Sequence, residues 1–180
     1  MDATTPINPL CEGRADVSNV YGETPCTALW RSLLANDPTA VPVFCTGNPY
    51  AGQAYSVIKK GTATYNNTIS YHTQIYNRLI GVVGTYVARG IVCVHGETDE
   101  GNNNASYAAN LAEWQTDYDT DLKAVTGQSE NVIFFCSPHA SWQKNSSKTT
   151  PTVAQQFLTA YLANPTKVIP VCPKYIFSYA

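Results

Sequence analysis

Short apolar runs alternate with amphipathic helical segments along this 180-residue chain, and that alternation limits the folds open to it. The runs are continuously apolar, as in strands that are covered on both faces. Strands that alternate with helices form a parallel sheet with helices on both sides. The sequence therefore predicts an α/β fold of the three-layer, flavodoxin-like type. The predicted strands are residues 41–45, 91–94, 131–136 and 167–172.

Four predicted helices precede or separate these strands. Thr24-Pro25 is a typical helix start, because Thr caps helices and Pro is tolerated at the first helical position. Apolar residues at steps of three and four predict the other helices. These lie at residues 70–88, from Tyr107 onward, and from Thr150-Pro151 onward.

The order of elements also predicts a domain organisation. The first helix has no strand before it, and no helix follows the last strand. We therefore expect a polar N-terminal arm over residues 1–20. We expect a domain over residues 21–180 that lacks the first strand and the last helix of its fold.

Composition argues against several classes of function. Hydrophobic residues make up 44% and charged residues 13%, which excludes a disordered chain. The 11 Lys and Arg are scattered and the net charge is −2, which argues against a nucleic-acid partner. No apolar run approaches the roughly 18 residues of a membrane helix, so no membrane partner is expected. The first residues lack the features of a signal peptide, which favours a cytoplasmic or virion-associated protein over a secreted one.

The six cysteines are expected to be reduced thiols in the core. Four of them lie at the ends of apolar runs, where a free Cys behaves as a small hydrophobe. No pair shows the Cys-x-x-Cys spacing of zinc or redox sites, so the cysteines predict no metal site. If a disulfide forms, Cys11–Cys26 is the least implausible pairing.

The strongest candidate site is the polar loop that follows the second predicted strand. Ligands of parallel sheets bind outside the carboxyl ends of the strands. This loop reads His95-Gly96-Glu97-Thr98-Asp99 and combines an imidazole, a hydroxyl and two carboxylates. Gly96 would let the backbone approach a ligand closely. The alternative is an ordinary polar loop in which Thr98 or Asp99 caps the next helix.

A second candidate loop, residues 47–52, follows the first predicted strand. Its backbone N–H groups could form an oxyanion hole, with Gln53 as a candidate substrate contact. It is not a phosphate-binding loop, because no Gly-Lys-Ser/Thr follows. The alternative is an ordinary turn from strand to helix. His139 follows the third strand as a further candidate substrate contact or as a solvated residue, whereas His72 is expected to be structural.

Together these segments resemble the SGNH (GDSL-like) hydrolases. The resemblance is to the carbohydrate-esterase branch, which includes sialate O-acetylesterases and esterase domains of phage tail proteins. It is most specific in residues 92–99, which read Val-Cys-Val-His-Gly-Glu-Thr-Asp and are followed by Tyr107 and a long helix. The resemblance covers roughly residues 20–180, with weaker matches at residues 22–25, 52–62 and 174–177.

The resemblance implies a carbohydrate O-acetylesterase that needs no cofactor. In such an enzyme a serine attacks an acetyl ester on a glycan, and backbone or side-chain donors hold the oxyanion. Gly52 would be one donor. Thr98 would stand in the place of the family's second donor, an Asn, with Gly96 shaping the loop. The other residues of the loop that would support the site are His95, Glu97 and Asp99.

The resemblance does not extend to the catalytic residues. The family's nucleophile lies in a Gly-Asp-Ser or Gly-Gln-Ser-Asn block, and its base in Asp-x-x-His after the last strand. Neither block occurs here, and Ser18 is the only upstream candidate nucleophile. We therefore expect the isolated chain to be inactive. The alternatives are one half of a split esterase, or a non-catalytic glycan-binding or structural domain. The expected partners are an acetylated carbohydrate and either a second copy or a complementing chain.

Overall fold

The computed structural model describes residues 12–13, 21–22, 25–39, 52–137 and 152–171. The chain divides into two compact units, Met1–Tyr50 and Ala51–Ala180. The boundary predicted at residue 20 stays a prediction.

The first unit contains an antiparallel pair of short strands and one helix. Strands β1 (Glu12–Gly13) and β2 (Tyr21–Gly22) pair with each other. Helix α1 spans Pro25–Asn36 and begins at the proline that the sequence indicated. The polar composition of residues 1–20 did not predict β1. The strand predicted at residues 41–45 lies outside the described residues.

The second unit is built on a three-stranded parallel sheet. Its strands follow the order β3-β4-β5, and the register pairs Cys93 with Cys136 and Phe134 with Val168. Each strand lies within two residues of its predicted position, so the α/β class with a parallel sheet is confirmed. The strands are β3 (Gly90–Val94), β4 (Ile133–Ser137) and β5 (Val168–Pro170).

Five helices accompany this sheet in the part of the unit that the structure describes, and two of them span only 4 and 5 residues, which is too short for periodicity to reveal. Two predicted starts were wrong. Helix α3 begins at Ala63 instead of near residue 70, because the Thr62 side chain accepts a hydrogen bond from the Tyr65 N–H. The cap of α6 is Thr152, not Thr150. The helices are α2 (Tyr55–Ile58), α3 (Ala63–Val83), α4 (Glu97–Gly101), α5 (Tyr107–Thr126) and α6 (Val153–Ala163).

The core lies between the sheet and the long helices. Trp114 on α5 packs against Phe134 on β4, with ring centroids 5.2 Å apart. On the opposite face of the sheet, Val92 and Val94 are each about half exposed. The described part of the unit therefore has two layers, and a layer of helices on the second face stays a prediction.

Cys93 and Cys136 are buried and free, which confirms the expected reduced core thiols for these two residues. The side chains that would test a Cys11–Cys26 pairing lie outside the described part of the chain.

Among the described residues, no helix combines the length and the apolar character that crossing a membrane requires.

Candidate functional site

The loop of residues 95–99, which the sequence singled out, contacts Gln53 and Tyr55 at the carboxyl end of β3. His95 follows this strand directly, and its Nε2 lies 2.8 Å from the carbonyl oxygen of Gln53. The Asp99 carboxylate accepts a hydrogen bond from the backbone N–H of Tyr55 at 2.8 Å. The structure therefore brings the segment of residues 52–55 against the loop of residues 95–99.

Gly96 gives this loop its shape for two steric reasons. Its φ of +124° is a conformation that L side chains rarely adopt. A Cβ built there would lie 2.6 Å from Cγ1 of Val153 and 3.1 Å from the Tyr107 hydroxyl. The backbone at Gly96 therefore packs closely against Val153 of α6 and Tyr107 of α5.

His95 lies in an aromatic environment and is mostly buried. Its Nδ1 is 2.7 Å from the Tyr107 hydroxyl, and its ring contacts Trp114 edge-on with centroids 5.3 Å apart. Burial lowers the pKa of His95 from its ordinary value, although the Gln53 carbonyl and the nearby carboxylates of Asp99 and Glu97 act to raise it. Both ring nitrogens are therefore engaged in hydrogen bonds at a site that disfavours the imidazolium.

Asp99 is 3% exposed, and hydrogen-bond donors surround its carboxylate. Oδ2 accepts the Tyr55 N–H, and Oδ1 accepts from Asn104 Nδ2 at 2.7 Å. The same Asn104 nitrogen also donates to Asn110 at 3.0 Å. One alternative from the sequence was that Asp99 caps the next helix. Instead, its carboxylate accepts a hydrogen bond from the N–H of Tyr55, the first residue of α2, which lies 44 residues earlier in the chain.

A second set of buried polar contacts ties α6 to the same loop. Glu100 accepts a hydrogen bond from the Val153 N–H at 3.2 Å. Gln156 donates to the Asn104 carbonyl at 2.9 Å and accepts from the Ala108 N–H. Sequence analysis did not single out Glu100 or Gln156. Gln156 could have been found as a polar residue at a position of α6 that helical spacing places in the core. Glu100 had no such signal, because α4 is too short for helical spacing to be recognised.

The other candidate residues that the structure describes lie at or beside the contact between residues 52–55 and residues 95–99. Glu97 is exposed and Thr98 is half-buried, both in the first turn of α4. Gly52 is exposed, has φ +71° and has open space where a Cβ would stand. Gln53 meets His95 through its backbone carbonyl. His139 lies outside the described residues.

An open depression of about 380 Å³ lies beside this contact. Most of its lining side chains are polar and carry amides, a hydroxyl, an ammonium group or a carboxylate. Over the described ranges, no three His, Cys, Asp or Glu side chains come together as a metal site. The lining residues are Ala54, Tyr55, Ser56, Lys59, Asp99, Asn102, Asn104 and Asn110.

Comparison of this chain with protein-family models, with curated proteins and with solved structures finds no match. The functional assignment therefore depends on the site itself.

Proposed function

We propose that this chain forms a carbohydrate O-acetylesterase domain of the SGNH type. One observation carries the proposal: His95 and Asp99 hydrogen-bond to the backbone of Gln53 and Tyr55, directly after Gly52. The resemblance assigns Gly52 and Thr98 to oxyanion binding. The contact lies at the carboxyl end of β3, the edge at which open α/β sheets bind ligands.

The proposed chemistry needs hydrogen-bond donors aimed at a developing negative charge. Attack on an acetyl ester produces a tetrahedral oxyanion, and loss of one such donor typically lowers kcat by about 10²–10³-fold. Gly52 would supply its backbone N–H from an exposed position, where no described atom lies within 4 Å of a built Cβ. The Thr98 hydroxyl would be the second donor.

The polar depression beside this contact supports a carbohydrate as the ligand. Sugar hydroxyls both donate and accept hydrogen bonds, and amide and hydroxyl side chains match both roles. Asn102 and Asn110 provide amides, and Ser56 provides a hydroxyl. An acetyl group held by Gly52 and Thr98 would thus belong to a sugar that rests in the depression.

The catalytic nucleophile and base stay unassigned in this proposal. Ser18 and His139 lie outside the described residues. His95 is an unsuitable base as placed, because its two ring nitrogens bond to Tyr107 and Gln53. This observation favours a second candidate function, namely a non-catalytic glycan-binding domain.

The test combines turnover with binding, using the full chain. Acetate release is measured on a panel of O-acetylated glycans, and fluorophosphonate labelling is located by mass spectrometry. Calorimetry compares each glycan with its deacetylated form. Gly52→Ala is the site variant. Gly61→Ala is its matched control, because Gly61 also has a positive φ of +90° and open space around a Cβ.

A labelled serine with acetate release that Gly52→Ala reduces and Gly61→Ala does not would support the esterase. Acetyl-dependent binding without turnover would support the proposed oxyanion site in a chain that lacks a nucleophile. Equal binding of acetylated and deacetylated glycans would favour the binding domain instead. No binding and no turnover would overturn both candidates.

A further inference from the structure

We propose that His95 and Asp99 form a clamp that positions the segment of residues 52–55, with His95 acting as a neutral Nε2–H imidazole oriented by Tyr107. The clamp is defined by these two residues, which hold alternate backbone groups of the segment that follows Gly52. Its role in ester hydrolysis rests on the proposed function. The clamp itself can be tested by NMR and amide exchange, which do not require ester hydrolysis.

The hydrogen-bond pattern determines the tautomer of His95. A carbonyl oxygen can only accept, so the 2.8 Å contact with Gln53 places the proton on Nε2. Nδ1 then carries a lone pair, and the Tyr107 hydroxyl donates to it at 2.7 Å. A neutral imidazole meets both partners in this way, which makes His95 an orienting group and not a proton acceptor.

Asp99, which follows Gly96 in the sequence as His95 precedes it, is the second residue of the clamp. Its Oδ2 accepts the Tyr55 N–H and lies 3.7 Å from His95 Nε2. His95 and Asp99, four residues apart, thus fix the Gln53 carbonyl and the Tyr55 N–H. Two fixed groups in three residues restrain the segment that directly follows Gly52.

Tyr107 is the positioning residue behind the clamp. It is fully buried, lies at the start of α5 and stacks with His95 at a centroid distance of 5.7 Å. Its hydroxyl also lies 3.1 Å from the place a Gly96 Cβ would occupy. The glycine therefore leaves room for the phenol that orients the imidazole.

The first measurement is the tautomeric state of His95 by long-range ¹H–¹⁵N NMR on the full chain. The chain has three histidines, and His72→Gln and His139→Gln variants assign the signals. We expect His95 to be neutral with the proton on Nε2 at pH 7. A proton on Nδ1, or an imidazolium at pH 7, would overturn the proposal.

The second measurement separates the clamp from simple packing. His95→Gln retains one donor and one acceptor, whereas His95→Leu removes both. We expect the Tyr55 amide to exchange at least about tenfold faster in His95→Leu, and within about twofold of the parent rate in His95→Gln. His72→Gln is the matched histidine control, with no change at Tyr55. Equal exchange in the two His95 variants would contradict the clamp.

If His95→Leu does not fold, Tyr107→Phe takes its place. It removes only the hydroxyl that donates to Nδ1, so the neutral imidazole loses a partner and His95 should protonate at higher pH than in the parent. An unchanged His95 titration would contradict the role of Tyr107.

Kinetics link the clamp to the proposed function. Where the parent releases acetate, His95→Leu should lower kcat at least about tenfold with little change in KM, and His95→Gln should recover most of it. A parent with neither turnover nor acetyl-dependent glycan binding would remove the esterase proposal and leave the NMR result standing. If acetate release is confirmed but the NMR measurement does not place the proton of His95 on Nε2, only the clamp proposal fails.

Discussion

Gly96 and Val153 are so close that a methyl group on the glycine would lie 2.6 Å from Val153 Cγ1. The glycine directly follows His95, and the valine is the first residue of α6. The shape of the candidate loop therefore depends on a helix that follows it by more than fifty residues in the chain.

Gly96→Ala should destabilise the protein by about 2–5 kcal/mol, since it adds backbone strain at a positive φ to overpacking against Val153. Urea denaturation followed by circular dichroism measures the change in the free energy of unfolding. The control is Gly101→Ala, where no atom lies within 4 Å of the added Cβ. A loss as large in the control would show that α4 tolerates no alanine for reasons unrelated to Val153.

Glu100→Ala should cost about 1–3 kcal/mol of unfolding free energy, because it leaves the buried Val153 N–H without its carboxylate acceptor. Glu100→Gln keeps an acceptor and should cost less, roughly the 0.3–1 kcal/mol of a charge at a helix N-terminus. Glu130→Ala is the control. Its carboxylate is 44% exposed and pairs with Arg89 at 3.9 Å, so its loss should change stability by under about 0.5 kcal/mol. Equal losses in Glu100→Ala and Glu130→Ala would contradict an anchoring role for Glu100.

Stability should fall as the pH drops below 6.5. Burial lowers the pKa of both His95 and His72 from their ordinary value of 6.5. The unfolded chain then binds protons before the folded chain does, so the contribution is complete above pH 6.5 and is lost as pH falls toward the folded-state pKa. The groups that act on His95 are the carboxylates of Asp99 and Glu97, together with its Tyr107 and Gln53 hydrogen bonds.

Urea titrations at several pH values between 5 and 8 measure this slope. A His95→Gln, His72→Gln double variant should show a flatter profile than the parent. An identical slope in the double variant would assign the acid sensitivity to carboxylates and not to these two histidines.

Cys93 and Cys136 should resist thiol reagents in the folded protein. Burial, together with the neighbouring Cys93 thiol, raises the pKa of Cys136 far above its ordinary value, so the reactive thiolate is scarce. Maleimide labelling with peptide mapping should modify these two residues only after denaturant is added. Rapid labelling of either residue in native buffer would show that the sheet opens without global unfolding.

Local patterns predicted the strands of the second unit and the long helix α5, because continuous apolar runs and helical spacing are properties of neighbouring residues. The start of α3 was missed, although its cap, Thr62, is a local signal. The first two turns contain Asn66 and Asn67, which are weak helix formers. A distant contact stabilises these turns, because Tyr65 packs on Tyr118 with ring centroids 4.9 Å apart and donates to Asp121.

The candidate site shows the same division. The loop of residues 95–99 could be found from its composition and its place after a strand. Its partner could not, because the Asp99 contact with the Tyr55 N–H joins residues 44 positions apart. Tertiary packing decides which distant backbone group donates a hydrogen bond to the buried Asp99 carboxylate.

The Asn104 side chain joins α4 to α5, because its single nitrogen donates to both Asp99 and Asn110. That nitrogen is also the atom to which N-linked sugars are attached, and Asn104-Ala105-Ser106 is an acceptor sequence. A sugar there would leave one hydrogen for two acceptors and would add bulk to a half-buried position. N-glycosylation of Asn104 would therefore break one of the two hydrogen bonds through which this side chain connects the two helices.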